Sequence, residues 1–195
     1  MNILDVTGLV LAGGMGRRMG GVDKGLVILA DRPMVAHVID RLTKQVGAIL
    51  INANQNVERY AALGYPVVSD TIGGFAGPLA GLHAGLLAAP TPFVATSPCD
   101  SPFLPLDLVT RLSAGLEREG AQLAVAYTFA QPHPVFALVD RSVLPHLSSF
   151  LQDGGRKIDA WYATLRVAAV QFDDCEAAFR NINTPDELAA AARPA

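Results

Sequence analysis

Four short apolar runs, each ending at glycine or a polar residue, constrain this chain most. Residues 9–12 run into Gly13 and Gly14, residues 48–51 into Asn52, residues 66–69 into Asp70, and residues 93–96 into the stretch that carries Asp100. Mostly apolar runs of this length read as buried strands, which with the helical patterns between them is the pattern of a mostly parallel sheet. Helical patterns separate them. Pro33 can occupy the first helical position, and Met34, Val35, Val38, Ile39, Leu42 and Val46 follow at helical spacing. A short helix is expected over 57–63, a small-residue helix after the glycine-rich loop that precedes residue 90, and another helix over 106–118. Further strands are expected near 123–127, 135–138 and 167–172, with a helix between the last two and a terminal helix in the alanine-rich tail after Leu188. This order predicts a three-layer α/β/α, Rossmann-like fold with a mostly parallel central sheet and right-handed crossovers.

In such a sheet, ligands bind outside the carboxyl ends of the strands. Gly13 and Gly14, Asn52, Asp70 and Asp100 therefore all reach one edge. A single Asp after a strand is commonly a turn residue or helix cap; four strands delivering polar or glycine residues to one edge is a stronger pattern.

The bulk properties narrow the class. The chain has 195 residues, 51% hydrophobic and 17% charged, enough for a core and too apolar for a disordered segment. The formal net charge of −3 leaves no general basic field for nucleic acid, so any anion site is local. The two cysteines, Cys99 and Cys175, are far apart and have no metal-ligand spacing, which points to a reducing compartment. With no signal-like or bilayer-length apolar segment, a cytoplasmic protein with no membrane partner is expected. One domain over 1–195 is expected, without linkers or repeats.

The loop after the first run reads LAGGMGRRMGGVDKG. Glycines let backbone N–H groups approach a phosphate, Arg17 or Arg18 can clamp its oxygens, and Lys24 adds a compact charge. The alternative is a solvated surface turn. The loop is not a P-loop, because Lys24 lies between Asp23 and Gly25. It is not a dinucleotide fingerprint either, because Met19 stands where the third glycine belongs.

The loop resembles the signature of MobA-type molybdenum cofactor guanylyltransferases, members of the wider nucleotidyltransferase superfamily with a nucleotide-diphospho-sugar transferase-like fold. The resemblance continues in order through NAN (52–54), SD (69–70), GPLAG (77–81), PCDSPFLP (98–105), HPVFAL (133–138) and NINTPDEL (181–188). Gly16 departs from it, standing where the family often has Ser or Ala. The resemblance implies transfer of GMP from GTP to the phosphate of molybdopterin or Mo-molybdopterin, with release of pyrophosphate. It implies nucleotide contacts at Leu11, Ala12, Gly13, Gly14, Gly77 and Pro78, triphosphate contacts at Arg18 and Lys24, nucleoside contacts at Asn52 and Asp70, and a Mg²⁺ ligand at Asp100. Asn181 and Asn183 would lie near metal and phosphates. Residues of about 8–120 would bind nucleotide and about 121–195 would contribute the acceptor site. A monomer making transient contacts with cofactor-delivery proteins is expected.

The chemistry agrees with that reading. Attack on an α-phosphate builds charge that Mg²⁺, Arg and Lys stabilise, and an anionic phosphate nucleophile needs no strong general base. Cys99, beside Asp100, reads as a small buried residue. Thr184, Pro185 and Glu187 read as a capping box. For the acceptor, Arg156, Lys157 and Trp161 could bind a phosphate and stack on a pterin, the alternative being an amphipathic helix with a half-buried Trp; His133 and Pro134 are expected to border that side. His37, His83 and His146 read as ordinary helix residues. Cytidylyl- and sugar-1-phosphate nucleotidyltransferases share the loop, Gly14 favouring guanine by family association. A non-catalytic nucleotide-binding module is the alternative of another class.

Overall fold

The computed structural model describes residues 1–12, 23–73 and 77–192. A seven-stranded sheet forms its middle layer. In chain order the elements are β1 (Val6–Leu11), β2 (Ile28–Leu29), β3 (Arg32–Pro33), α1 (Met34–Leu42), β4 (Ala48–Asn52), α2 (Val57–Ala61), β5 (Val67–Val68), α3 (Pro78–Ala88), β6 (Phe93–Pro98), α4 (Leu108–Glu119), β7 (Leu123–Thr128), β8 (Gln131–Asp140), α5 (Leu144–Gln152), α6 (Ile158–Tyr162), β9 (Val167–Gln171) and α7 (Pro185–Ala191).

The sheet order is β5-β4-β1-β6-β8-β7-β9, while β2 and β3 form a separate small hairpin. All neighbouring pairs are parallel except those of β8, which runs antiparallel to both β6 and β7. The mostly parallel α/β/α expectation therefore holds, with one reversed strand. Chain order runs outward from β1 through β4 to β5, then returns to the other side of β1 at β6. That reversal is the topological switch point where such sheets bind ligands.

Alternate residues of each central strand enter opposite cores. Val6 and Val10 of β1 join the core packed by α1, α2 and α4, whereas Leu9 joins the core packed by α3, α5 and α6. Burial of both strand faces explains the mostly apolar runs. A third, smaller cluster joins Leu29, Met34 and Ile182, with Val27 and Leu188 packed against it. It ties the C-terminal segment to the chain around Lys24.

Several boundaries shift from the sequence reading. Pro33 is the N-cap of α1 rather than its first helical residue, and it pairs in the β2–β3 hairpin. The expected strand at 135–138 is the later part of the ten-residue β8. The region between β8 and β9 holds two helices, not one. No helix among the described residues is long and apolar enough to cross a membrane.

Candidate active site

Two polar clusters sit at the carboxyl edge, one on either side of β1. The first follows β4 and β5. Asn52, almost fully buried, donates from Nδ2 to the Val68 carbonyl (3.2 Å) and to Asp70 Oδ1 (2.9 Å). Asn54 grips the same aspartate twice: its Nδ2 donates to Asp70 Oδ2 (2.8 Å), and the Asp70 N–H donates to Asn54 Oδ1 (2.9 Å). Asp70 is thereby held rigidly with both carboxylate oxygens facing amide donors. Sequence position singles out Asn52 and Asp70 but gives Asn54 no role of its own; the N-x-N spacing at a strand end is the signal for it.

α3 presses on this cluster. A Cβ at Gly81 would lie 2.3 Å from Asn52 Oδ1 and 2.7 Å from Leu11 Cδ2, so only glycine allows the helix so close. Gly77 caps α3 at φ +61° and ψ −151°, a conformation open essentially to glycine alone, and Pro78 follows in the first turn. Both are exposed.

The second cluster centres on Asp100, two residues beyond β6. Lys24 Nζ lies 3.5 Å from Asp100 Oδ2 and also donates to Asn183 Oδ1. The segment bearing the two asparagines docks against the Asp100 turn. Ser101 Oγ donates to Asn181 Oδ1 (2.7 Å), and the Ile182 N–H donates to the Asp100 carbonyl (2.9 Å). Behind it, α7 carries the full capping box. The Thr184 hydroxyl accepts from the Glu187 N–H (3.2 Å), while Glu187 Oε2 accepts from the N–H groups of Asn183 (2.7 Å) and Thr184 (3.0 Å). These bonds hold the Glu187 carboxyl below its ordinary range, the Asn183 N–H contributing most. The cap fixes the backbone that presents Asn183 to Lys24. Residues 159 apart in sequence thus meet at one ammonium.

Burial pushes the Asp100 carboxyl above the usual carboxylate range, and the Lys24 ammonium opposes that shift. A buried carboxylate with one cation at 3.5 Å retains unspent affinity for positive charge. The neighbouring Cys99 thiol is buried and pushed up, chiefly by desolvation and then by Asp100, so it is an inert core residue as expected.

Leu11 and Ala12 end the strand between the two clusters; the Ala12 N–H donates to the Asn52 carbonyl (2.8 Å). Gly13, Gly14, Arg17 and Arg18 lie outside the described residues.

A cavity of about 350 Å³ adjoins the second cluster, lined by Pro98, Thr128, His133, Phe136, Phe179, Arg180 and Asn181 among others. His133 stacks on Phe179, with ring centroids 4.6 Å apart at 21°, and shares a 2.7 Å hydrogen bond with the Thr128 hydroxyl. Burial lowers the His133 pKa, with Glu176 pulling the other way.

Arg156, Lys157 and Trp161 do not line that cavity. Trp161 is fully buried, and its indole N–H donates to His146 Nδ1 (3.0 Å). The Arg156 guanidinium donates to the carbonyls of Leu151 (2.8 Å) and Gly155 (2.6 Å). Lys157 is the exposed N-cap of α6. The apolar face of α6 is core, so Trp161 has no open ring face on which a pterin could stack.

The mostly parallel sheet thus carries, at the edge where such sheets bind ligands, a buried carboxylate paired to a lysine on one side of β1 and an amide-clamped aspartate on the other. Residues 8–168 match the MobA-like NTP transferase domain. A molybdenum cofactor guanylyltransferase of Cupriavidus taiwanensis is 54% identical over 191 residues, covering 95% of this chain and 96% of that protein. A protein of the same name from Ralstonia nicotianae is 51% identical, covering 94% of each chain. Among solved structures, molybdopterin-guanine dinucleotide biosynthesis protein A from Archaeoglobus fulgidus superposes with a TM-score of 0.78 at 23% identity, over 95% of this chain and 96% of that one. The chain belongs to the MobA-like NTP transferase family, and it is a nucleotidyltransferase.

Proposed function

We propose that this protein transfers GMP from GTP to the terminal phosphate of molybdopterin or Mo-molybdopterin, releasing pyrophosphate. The observation that carries this reading is the convergence of Lys24, Asp100 and Asn183 on one point beside an aromatic-lined cavity, in a chain sharing about half its residues with enzymes of that name.

Residues of about 8–120 serve the nucleotide in this reading, and about 121–195 serve the acceptor. Asn52, Asp70, Gly77 and Pro78 border the nucleoside, with Leu11, Ala12, Gly13 and Gly14 as its backbone cradle. Arg18 and Lys24 meet the triphosphate. Asp100 would hold a divalent cation, Mg²⁺ by its hard oxygen chemistry. The donor set fits: one carboxylate beside a phosphate site suits an ion that takes its remaining ligands from phosphate and water. Among the described residues no three carboxylate, histidine or cysteine side chains group to hold a metal by themselves. When bound, such an ion neutralises charge on the phosphate oxygens.

Lys24 stabilises part of the negative charge that develops on the phosphate oxygens as the α-phosphorus bond to pyrophosphate breaks and the bond to the acceptor phosphate forms. The acceptor's phosphate is already an anion, so no side chain need remove a proton. His133, Phe179 and Arg180 line the acceptor side. The partly exposed His133 ring, backed by the buried Phe179, and the Arg180 guanidinium suit a flat heterocycle bearing a phosphate, and they take that role in place of Arg156, Lys157 and Trp161.

Affinities for GTP, CTP and UTP measured side by side test the nucleotide assignment. A GTP preference of roughly tenfold or more is expected, the discrimination that one well-placed polar contact supplies. A clear preference for CTP would overturn it in favour of a cytidylyltransferase.

A further inference from the structure

We propose that Asp23, Tyr60 and Asn56 form a latch that sets the position of Lys24, making all three positioning residues for the triphosphate site. The proposal rests on the role of Lys24 given above.

Asp23 precedes the short 3₁₀ turn Lys24–Leu26 at its N-cap, a place where an aspartate ordinarily caps with its side chain. Here the carboxylate makes no capping bond. Both oxygens go instead to the first turns of α2: Oδ1 accepts from the Tyr60 hydroxyl (2.5 Å) and Oδ2 from Asn56 Nδ2 (3.0 Å). Tyr60 is fully buried, so its ring is fixed and its hydroxyl is a rigid post. That hydroxyl also abuts the backbone on the far side of the lysine: a Cβ at Gly25 would lie 2.6 Å from it. Residues 23 and 25, which flank Lys24, are therefore both referenced to one oxygen atom. Asn56 reaches Asp23 from a left-handed conformation (φ 51°), which asparagine tolerates better than most residues.

From this anchored backbone Lys24 extends towards Asp100 and Asn183. A long, flexible lysine side chain gains most from a fixed base, because each degree of freedom removed beforehand is one that nucleotide binding need not restrict. Nothing in the latch touches the nucleotide-facing end of Lys24; it acts through the backbone alone.

The test is a double-mutant cycle on GTP affinity. Tyr60→Phe removes only the hydroxyl and keeps the buried ring. Asn56→Gly removes the second bond and keeps the left-handed backbone. Each is expected to weaken GTP binding about threefold to tenfold with Lys24 present, the net worth of one typical hydrogen bond passed on through the backbone. In a Lys24→Ala background, itself weakened about tenfold or more, neither is expected to weaken binding further. Equal weakening in both backgrounds overturns the latch, since loss of general stability would act without regard to Lys24. So does unchanged affinity in both single variants. If Lys24→Ala alone leaves GTP affinity intact, the assignment of Lys24 to the triphosphate fails and takes the latch with it, an outcome distinct from the other two.

Discussion

Asp100 is pulled in two directions. Burial disfavours its charge, while the Lys24 ammonium at 3.5 Å favours it. A buried carboxylate in that state gains from any further cation, which is the property a metal-binding residue needs. Asp100→Asn keeps the volume and the hydrogen-bonding capacity but removes the charge. Turnover is expected to fall by about 100-fold or more, as for loss of a principal electrostatic stabiliser, with the melting temperature shifting by only a few degrees. Turnover near the parent's would remove Asp100 from the metal role. At this scale the sequence was informative where a residue ends a strand: the placement of Asn52, Asp70 and Asp100 at the carboxyl edge was legible from position alone. Asn54, Asn56 and Tyr60 were not. Their roles depend on which carboxylate lies across the fold, at separations of 16, 33 and 37 residues, and no local pattern encodes that.

Among the elements, α3 shows how packing and site are one problem. Its glycines let it lie against β1 and β4 so closely that Gly81 touches the Asn52 amide and Gly85 touches Leu9. Gly81→Ala forces Asn52 away from Val68 and Asp70, because the added methyl would sit 2.3 Å from Asn52 Oδ1. A destabilisation of about 1–3 kcal/mol is expected, typical of overpacking, read as a melting temperature lowered by several degrees. GTP affinity should fall with it. A variant with parent stability and parent affinity would show that α3 can retreat freely. β8 shows where reading by elements runs out. Its later residues were visible as an apolar run, but Pro132 and Pro134 hid the start of the strand. The register explains how Pro134 is tolerated: Val125 pairs with Ala137 and Ala126 with His133, so residues 134–136 bulge out of the ladder, while Pro132 pairs opposite Tyr127. The bulge falls beside His133 at the cavity, as bulges near functional sites commonly do. α6 could be read both ways from sequence. Its basic and aromatic residues suggested a ligand site, while the spacing that places Ile158 and Trp161 on one face indicated core.

For the molecule as a whole, two histidines, the buried His83 and the half-buried His133, link folding to pH. His83, between the Thr71 and Ser148 hydroxyls at 3.3 and 2.9 Å, and His133 both have pKa values lowered by burial. The unfolded chain therefore binds protons that the folded chain refuses. Below about pH 6.5 stability must fall as pH falls, by at most about 1.4 kcal/mol per pH unit for each histidine, until the folded-state values are reached. Denaturant midpoints at pH 7.5 and 5.5 measure this, and His83→Gln should recover part of the loss. An identical loss in the variant would contradict the assignment to His83. The same global view explains what the sequence conveyed best. Strand order and the polar edge follow from periodicity and chain order, so the layered fold and the nucleotide edge were legible early. The cavity proposed for the acceptor was legible only at His133 and Pro134, because the rest of its lining comes from β6, β7, other residues of β8 and residues 176–181, which meet only in three dimensions.

The central claim is that this edge joins GMP to a molybdopterin phosphate. Pyrophosphate release measured with GTP, Mg²⁺ and molybdopterin tests it directly. Pyrophosphate is expected to form in step with acceptor consumed, with none above background when either GTP or acceptor is omitted. GTP binding without acceptor-dependent pyrophosphate release would contradict it and leave a nucleotide-binding module in its place.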